Sequence, residues 1–349
     1  MTASEGDGLL GALEKVLAGS ELSGGEARAA FESIMDGAVP AARLAAFLVA
    51  LRMRGETVTE IAAFARVLRE RATVVRSRHV AVLDTCGTGG DGAGTFNIST
   101  LAAFVVAASG VPVAKHGNRS ASGRCGSADL LQGLGVRVDP PVATVERALN
   151  EIGLGFLFAP ALHGAMRHAA PVRRELGVRT VFNLLGPLTN PAGATRQLLG
   201  VYDPRRLEGL AHVLKDLGSE RAMVVHGEGL DEIALHAPTR VAELRDGEVR
   251  TYTLTPEEAG LSRARLRDLA GGGVEENVAI ARGILEGAAG PRRDVVLLNA
   301  AAALVVAERA RDLRDGVALA ARAVDSGEAL RVMHRLRDLC PVEDQGSAT

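Results

Sequence analysis

Five glycines fall within eight residues of this chain, between an apolar run that predicts a buried strand over 79–84 and an apolar stretch that predicts a helix over 99–109. We expect Asp84 and Thr85 to end the strand. Glycine lets backbone N–H groups approach an anion closely, and a helix N-terminus adds unpaired donors and the positive end of its dipole. The segment therefore predicts a phosphate-binding turn. Its glycines are Gly87, Gly89, Gly90, Gly92 and Gly94, and Asn97, Ser99 and Thr100 follow as residues that can cap the helix or ligate phosphate or a metal.

Two widespread phosphate motifs fit this segment less well. The glycines at 87, 89 and 92 match the dinucleotide pattern G-x-G-x-x-G, but the next predicted strand, 111–114, leads into Lys115-His116 and not into the acidic residue that binds ribose hydroxyls. No Gly-Lys-Ser/Thr closes the turn, as a P-loop requires. A glycine-rich surface loop before a capped helix is the less specific alternative, and glycines this dense between a buried strand and a helix disfavour it.

The 349 residues suffice for two domains, or for one large domain with an appendage. The hydrophobic content of 47% is ample for a sizeable core, and the formal net charge of −2 gives no polyanion signature, so we expect no nucleic-acid partner. Three scattered cysteines, at 86, 125 and 340, suit a reducing cytoplasm better than a disulfide framework or a zinc site. Residues 1–8 are unlike a signal peptide, and no apolar run approaches the roughly 18 residues of a membrane span.

The order of predicted elements indicates an α/β fold, with a small N-terminal helical domain over 1–77 and a large α/β domain over 78–349. Four helices are predicted in the first domain, two of them opened by the capping boxes Ser23/Glu26 and Thr57/Glu60. Beyond residue 78, short apolar runs alternate with helices, which is typical of a mostly parallel central sheet flanked by helices. Strands are predicted near 79–84, 111–114, 136–138, 154–158, 197–202 and 221–226, and helices near 99–109, 127–134, 142–151, 163–176 and 205–217.

The last third of the chain predicts a different arrangement. Residues 233–254 alternate around Asp246-Gly247, a turn signal for a β-hairpin. Residues 274–339 predict about four helices, and we expect the tail from 341 to 349 to be disordered. Surplus apolar side chains over 44–51 suit the protein core or a dimer contact.

A second glycine-rich stretch, 115–123, follows the second predicted strand and so lies at the same edge of the sheet as the first. Its lysine, histidine, asparagine, arginine and serines, set among small residues, suit an extended and multiply charged phosphate ligand. The alternative is a solvated basic loop. Ser127 is expected to cap the following helix.

Two further segments carry candidate groups at the carboxyl ends of strands. Residues 163–179 hold histidines and arginines, one of which could hold a carboxylate, although each alone is more typical of a solvated helix charge. Asp231 and Glu232 follow the strand 221–226 and are a plausible Mg²⁺ site, because Mg²⁺ takes one or two carboxylates plus phosphate oxygens and water. On spacing alone, a solvated acidic pair is the commoner arrangement. No nucleophilic apparatus stands out, and Cys86, placed in the turn, lacks an evident base.

Seven motifs follow one another in order along the chain. They are Asp84-Thr-Cys-Gly-Thr-Gly-Gly-Asp91, Thr95-Phe-Asn-Ile-Ser-Thr100, Lys115-His-Gly-Asn-Arg119, Gly126-Ser-Ala-Asp129, Arg173-Arg-Glu-Leu-Gly-Val-Arg-Thr180, Phe182-Asn-Leu-Leu-Gly-Pro-Leu-Thr-Asn-Pro191 and Gly229-Leu-Asp-Glu232. Together they resemble the anthranilate phosphoribosyltransferases of tryptophan biosynthesis, over nearly the whole chain. The resemblance implies a small helical domain plus an α/β domain, a homodimer paired through the helical domain, and a segment near 167–190 that packs with the N-terminal helices.

The resemblance also implies an activity and the residues that serve it. The activity is transfer of phosphoribose from 5-phosphoribosyl diphosphate (PRPP) to the amine of anthranilate, with Mg²⁺ as cofactor and no catalytic nucleophile or strong base. Mg²⁺ ligands are expected at Ser99, Asp231 and Glu232, and anthranilate contacts at Gly87, Asn118, His163 and Arg173, the last through the carboxylate. PRPP is expected on Gly87, Gly90, Asp91, Thr95, Asn97, Ile98, Ser99, Thr100, Lys115, His116, Gly117, Asn118, Arg119, Ser120, Ala121, Ser122, Gly123 and Ser127.

The chemistry of such a transfer agrees with the residues present. Breaking the anomeric C–O bond builds negative charge on diphosphate, which Mg²⁺ and backbone donors stabilise. The amine of anthranilate is uncharged at neutral pH, so positioning and leaving-group electrostatics suffice. Two alternatives stay open. A pyrimidine nucleoside phosphorylase shares the fold, although Lys115-His-Gly-Asn118 resembles the anthranilate enzymes. A non-enzymatic relative that binds nucleic acid is disfavoured by the net charge and by the Asp231-Glu232 pair.

Overall fold

The computed structural model describes residues 8–120 and 124–342. Three predicted PRPP residues, Ala121, Ser122 and Gly123, lie outside the described residues, as does most of the tail predicted to be disordered. The part of the tail that is described contains Pro341, which forms an isolated β-bridge with Val136.

Four helices open the chain, as predicted: α1 (Gly8–Leu17), α2 (Gly24–Met35), α3 (Ala41–Arg54) and α4 (Val58–Arg71). Both capping boxes are present. At the start of α4, Thr57 Oγ1 accepts a hydrogen bond from Glu60 N at 3.2 Å, and Glu60 Oε2 accepts one from Thr57 N at 2.9 Å. These bonds satisfy backbone donors that the first turn of a helix leaves without partners.

The rest of the chain alternates strands and helices and then becomes helical. Its elements are β1 (Leu83–Gly87), α5 (Ile98–Ala108), β2 (Val113–Gly117), α6 (Ser127–Gly133), α7 (Val142–Arg147), β3 (Leu154–Phe158), α8 (Ala159–Leu162), α9 (Ala170–Leu176), α10 (Phe182–Leu185), β4 (Arg196–Gly200), α11 (Leu207–Asp216), β5 (Arg221–His226), β6 (Thr239–Arg245), β7 (Glu248–Leu254), α12 (Val274–Leu285), α13 (Pro291–Val306), α14 (Leu313–Asp325) and α15 (Glu328–Leu339). The hairpin and the four C-terminal helices are confirmed.

In the part of the chain that the structure describes, seven strands form one sheet in the order β3-β2-β1-β4-β5-β6-β7. The first five are parallel, and the hairpin β6–β7 adds an antiparallel edge. The chain progresses outward from β1 in one direction through β2 and β3, and in the other through β4 and β5. Such a reversal leaves a crevice beyond the carboxyl ends of the two central strands, where ligands of open α/β sheets bind.

Three sequence-based predictions differ from the structure. Residues 136–138 form no strand, because Val136 makes only an isolated bridge to Pro341, while Val136 and Val138 pack into the core beside the C-terminal helices. The helix predicted over 163–176 is divided into a 3₁₀ turn, Gly164–His168, and α9, where Pro171 lacks the N–H that a continuous helix would need. The first strand begins at Leu83 and runs on through Asp84 and Thr85 to Gly87, since all five residues pair with β4.

Both faces of the sheet are buried, which is why its strands read as apolar runs. Alternate residues of β5 show this clearly. Met223 and Val225 pack into one hydrophobic core with α5 and the C-terminal helices. Ala222 and Val224 pack into a second core with the N-terminal helices. That second core also takes in side chains between residues 169 and 188, including Phe182. Among the described helices, none is long and apolar enough to cross a membrane.

Candidate active site

The carboxyl ends of β1 and β4 meet at the crevice, and each ends in a glycine that admits the acidic segment 231–232. Gly87 pairs with Gly200 in the parallel register. A Cβ atom on Gly200 would lie 1.6 Å from the carbonyl oxygen of Asp231, and one on Gly87 would lie 2.4 Å from Asp231 Oδ2. Only glycine fits either position. The sheet therefore brings the predicted phosphate turn and the predicted metal ligands into direct contact.

The glycine turn after β1 forms hydrogen bonds both to the end of β4 and to the acidic segment 231–232. Thr88 N donates a hydrogen bond to the carbonyl of Gly200 at 2.8 Å. Gly89 N donates to Asp231 Oδ2 at 2.7 Å. Gly90 has a φ angle of +75°, a left-handed conformation that glycine adopts without strain. Asp91 follows, and its Oδ2 accepts a bond of 3.4 Å from Asp231 N. These contacts hold the turn in place before any ligand binds.

Asp231 and Glu232 form a buried acidic centre in which the negative charge of both carboxylates is disfavoured. Burial raises the pKa of Asp231, and the neighbouring carboxylate of Asp91 raises it further. Burial likewise raises the pKa of Glu232, with Asp231 adding to the effect and Lys115 opposing it. Carboxylates in this condition gain most from a cation. Within the described ranges, no group of three or more His, Cys, Asp or Glu side chains is arranged to hold a metal ion. An ion here would need further oxygen ligands from substrate or water.

Ser99 connects the acidic centre to a buried lysine. Its backbone N–H donates to Glu232 Oε1 at 3.1 Å. Lys115 on β2 is only 3% exposed, donates to the carbonyl of Thr85, and lies 3.4 Å from Ser99 Oγ. A buried ammonium group next to two carboxylates and a helix N-terminus can bind phosphate oxygens and also moderate the acidic charge.

The start of α5 places the other residues predicted from the first motif. Asn97 is the N-cap residue, yet its side chain makes no capping bond. Asn97 Nδ2 instead donates to the carbonyl of Cys125 at 3.1 Å, and its Oδ1 accepts from Asn277 at 3.1 Å. Of the two roles that the sequence left open for Asn97, side-chain capping is therefore not used, because tertiary partners take its side chain. Ile98 and Thr100 are buried, and Thr95 forms a β-bridge with Ala270.

The second predicted binding loop folds back on the start of α6. Ser127 is the first helical residue, and Gly126 is the N-cap, which corrects the prediction that Ser127 caps this helix. Ser127 Oγ accepts from Asn118 N at 3.2 Å and donates to the Asn118 carbonyl at 3.1 Å. A Cβ on Gly117 would lie 2.4 Å from the same Oγ. The loop is therefore closed around this hydroxyl.

Arg119 and Ser120 are held by the acidic side of α6. The Arg119 guanidinium donates to Asp129 Oδ1 at 2.7 Å and to Gln132 Oε1 at 2.8 Å. Ser120 N donates to Asp129 Oδ2 at 3.2 Å. The Arg119 side chain thus joins the loop to α6, while the backbone of Arg119 lies beside Asn118, just beyond the end of β2.

Two buried histidines lie side by side at the predicted anthranilate site. His116 Nδ1 is 2.9 Å from the carbonyl of Gly186, and the two Nε2 atoms of His116 and His163 are 3.2 Å apart. Burial lowers the pKa of His116 to about 3 and that of His163 to about 4. Both rings are therefore neutral at pH 7. A carbonyl only accepts, so a neutral His116 donates through Nδ1, and its Nε2 carries no proton where it faces His163.

Arg173, the predicted anthranilate carboxylate ligand, lies on α9. Its guanidinium carbon is 4.9 Å from the ring centroid of Phe182, and burial lowers its pKa. Among the described residues, no hydrogen bond joins it to Gly87, Asn118 or His163. The structure thus joins the acidic, glycine and lysine groups by hydrogen bonds, and it places the Arg173 guanidinium over the ring of Phe182.

Sequence reasoning missed a buried polar group beneath the site. Asp84, inside β1, accepts from His116 N at 3.0 Å and from Asn190 Nδ2 at 2.7 Å, and burial raises its pKa. An acidic residue directly after an apolar strand run was the available signal. Cys86 belongs to β1 and not to the turn. Its buried thiol donates to Asp84 Oδ2 at 3.3 Å, and burial raises its pKa, so it is unreactive.

Comparison with known proteins covers nearly the whole chain. Residues 11–72 match the helical bundle domain of a glycosyl transferase family, and residues 79–330 match the a/b domain of a glycosyl transferase family. The chain is 57% identical to the anthranilate phosphoribosyltransferase of Symbiobacterium thermophilum over 327 residues, 93% of this chain and 96% of that protein.

Two solved structures extend the comparison. The crystal structure of anthranilate phosphoribosyltransferase from Thermus thermophilus is similar with a TM-score of 0.89 at 51% identity, covering 94% of this chain and 99% of that one. The anthranilate phosphoribosyltransferase of Saccharomyces cerevisiae in complex with PRPP and Mg is similar with a TM-score of 0.87 at 29% identity, covering 95% and 97%.

Proposed function

The chain belongs to the anthranilate phosphoribosyltransferase family, and from this premise we propose that it transfers the 5-phosphoribosyl group of PRPP to the amine of anthranilate, a step of tryptophan biosynthesis. The products are N-(5-phosphoribosyl)anthranilate and diphosphate. The single observation that carries the proposal is the hydrogen bond from Gly89 to Asp231, at the point where the strand order of the sheet reverses. This bond joins the predicted phosphate turn to the acidic centre, and Lys115 lies nearby against Ser99. PRPP is a phosphate-rich and metal-binding donor, and this arrangement suits both properties.

The donor substrate occupies the two glycine-rich loops. Its diphosphate lies over the turn of Gly87, Gly90 and Asp91 and the start of α5, and its remaining phosphate and ribose lie along 115–123 and Ser127. The support is geometric: both loops leave the carboxyl ends of neighbouring strands, and Lys115 reaches between them to Ser99. The anthranilate residues Gly87, Asn118, His163 and Arg173 remain predictions.

The residues present fit Mg²⁺. Ser99, Asp231 and Glu232 supply only oxygen ligands, and burial and mutual repulsion raise the pKa of both carboxylates, so a bound cation would stabilise their charged forms. When bound, Mg²⁺ neutralises charge that develops on diphosphate. The yeast relative was solved with PRPP and Mg.

The chain itself positions the reactants. In the transfer, the amine lone pair forms the N–C1′ bond while the C1′–O bond breaks and its electron pair leaves with diphosphate. The nitrogen then loses one proton to water or to the released diphosphate. Lys115 and the backbone N–H groups of the turn stabilise that charge. The neutral amine needs no strong base to react, in keeping with the unreactive Cys86 thiol and the uncharged His116–His163 pair. Catalysis then depends on orientation and on leaving-group electrostatics.

Fluorescence of anthranilate tests this proposal directly. Purified protein, PRPP and Mg²⁺ together should remove the anthranilate signal, and omission of any one should preserve it. A folded protein that leaves the signal unchanged with all three present would overturn the proposed function.

The assembly, the location and the domain limits belong to the same proposal. A homodimer paired through the N-terminal helices is supported by exposed apolar side chains there, Leu17 at 69% and Met53 at 83% exposure.

A cytoplasmic location is supported by the three free cysteines. A helical domain of residues 1–77 that packs with the segment near 167–190, beside an α/β domain of 78–349, is supported by their shared core around Phe182. Light scattering of Met53→Asp against the natural protein tests the dimer.

A further inference from the structure

Arg179 lies over the glycine turn, and no carboxylate in the described ranges pairs with it. Its guanidinium carbon is 3.9 Å from the ring centroid of Tyr202, a close cation–π contact. A Cβ atom on Gly90 would lie 2.9 Å from Arg179 Nη2, so the guanidinium occupies the space next to that glycine. By contrast, the guanidinium groups of Arg54 and Arg206 pair with the carboxylates of Glu60 and Glu56.

Both ends of this contact are anchored. Arg52 Nη1 on α3 donates to the Arg179 carbonyl at 2.6 Å, which fixes its backbone. Tyr202 N donates to Thr88 Oγ1 at 3.1 Å, which ties the aromatic ring to the glycine turn. The guanidinium is therefore held beside the turn by its neighbours and not by an opposite charge.

Such an arrangement is unusual for a structural arginine. A half-buried guanidinium usually offsets its lost hydration with a carboxylate, and Asp91 is the next residue after Gly90. Asp91 instead accepts bonds from the backbone of Ala93 and Asp231. The N–H donors of the Arg179 guanidinium therefore lie beside the glycine turn, where the proposed function places diphosphate. A planar guanidinium can bind two diphosphate oxygens at once.

We infer that Arg179, oriented by the ring of Tyr202, is a further binding residue for the diphosphate group of the donor substrate. It binds diphosphate more tightly as the C1′–O bond breaks and the electron pair moves to the leaving oxygen, and it exchanges no proton. The inference rests on the proposed function, since it names a new residue for that substrate.

Calorimetric titration with diphosphate and Mg²⁺ tests the inference without turnover. Arg179→Met keeps the length and apolar character of the side chain but removes the charge. We expect its diphosphate Kd to rise roughly 10- to 100-fold, the usual range for a lost charged hydrogen bond. The matched control is Arg174→Met, an exposed arginine on α9, which should stay within twofold. An Arg179→Met protein with the natural Kd would overturn the inference.

Kinetics and a second pair of variants separate binding from structure. For Arg179→Met, kcat/KM for PRPP should fall by a similar factor while the KM for anthranilate stays within twofold. Tyr202→Phe keeps the ring face and should behave as the natural protein, whereas Tyr202→Leu should weaken diphosphate binding. If Arg179→Met fails to fold, Arg179→Lys replaces it, and a natural Kd there would count against the bidentate contact.

The two proposals fail in different ways. Natural protein that binds diphosphate but does not consume anthranilate would overturn the proposed function, and the Arg179 comparison would still be decided by the diphosphate Kd. Natural protein that binds no diphosphate with Mg²⁺ present would overturn the inference about Arg179.

Discussion

Two acidic centres in this protein are withdrawn from water, and they are compensated very differently. Glu60 in the N-terminal helices is fully buried, and its two carboxylate oxygens accept from Leu22 N at 2.8 Å, from Thr57 N at 2.9 Å and from the Arg54 guanidinium. Asp231 at the sheet edge accepts from Gly89 N but also faces Asp91.

The difference teaches how a structural carboxylate can be told from a functional one. Every partner of Glu60 is already supplied by the fold, so a ligand has nothing to add. Asp231 and Glu232 have raised pKa values because burial and mutual repulsion outweigh their donors. The fold keeps these two carboxylates close together despite their repulsion. A bound cation would reduce the repulsion and favour the ionised forms.

The largest effect on stability should come from the compensated centre. Glu60→Ala removes the carboxylate partner of Arg54, which keeps only the carbonyls of Ser20 and Gly55, and leaves two backbone donors without their acceptor. Breaking a buried ion pair costs about 3–5 kcal/mol. We expect urea unfolding to show a loss of that size, while kcat/KM per folded molecule stays within twofold. Unchanged stability would show that the Glu60 bonds contribute little.

The uncompensated centre should respond in the opposite way. Asp231→Asn removes a charge that the fold disfavours, so the unfolding free energy of the metal-free protein should not decrease. Activity should fall roughly 100- to 1,000-fold, as when one electrostatic stabiliser of a transition state is lost. Asp216→Asn, on the surface end of α11, is the control for both measurements. A large loss of stability in Asp231→Asn would remove the distinction between the two centres.

The pH dependence of stability should report on the centre of Asp231 and Glu232. A carboxyl group whose folded-state pKa lies above its unfolded value stabilises the protein while protonated, and that contribution is lost as pH rises from the unfolded towards the folded pKa. Metal-free protein should therefore gain stability, relative to Asp231→Asn/Glu232→Gln, as pH falls below neutrality. The difference should change by at most about 1.4 kcal/mol per pH unit for each proton bound. Parallel curves for the two proteins would contradict the raised pKa values.

The smallest effect is expected for an acidic residue that water already solvates. Glu70 pairs with Arg28 at 2.6 Å, but both side chains are about half exposed, at 52% and 43%. Exposed pairs contribute about 0.2–1 kcal/mol. Glu70→Ala should therefore shift the urea midpoint only slightly and leave Mg²⁺-dependent activity unchanged. A loss comparable to that of Glu60→Ala would mean that burial is a poor guide to these energies.

Much of the fold could be predicted because local signals coincided with it. The capping boxes at Ser23 and Thr57 mark helix starts that the structure contains, and the apolar runs from 154 and 221 mark buried parallel strands. The errors occurred where local signals competed with distant ones. Val136 has the pattern of a strand but packs into the core beside the C-terminal helices, and Ser127 has the chemistry of a cap but is the first residue of α6, where its hydroxyl bonds to Asn118 in the preceding loop.

By itself the sequence determined the kinds of chemistry available here: a glycine turn for phosphate, an acidic pair for a divalent cation, and a set of motifs that identify the family. Tertiary structure decided which of these groups meet. Asp231 reaches Gly89 only because β1 and β4 are neighbours that both end in glycine, although they are far apart in the chain. It also decided the charge state of the acidic centre and the position of Arg179. Burial and distance set pKa values and contacts, and both depend on how strands that are remote in sequence pack side by side.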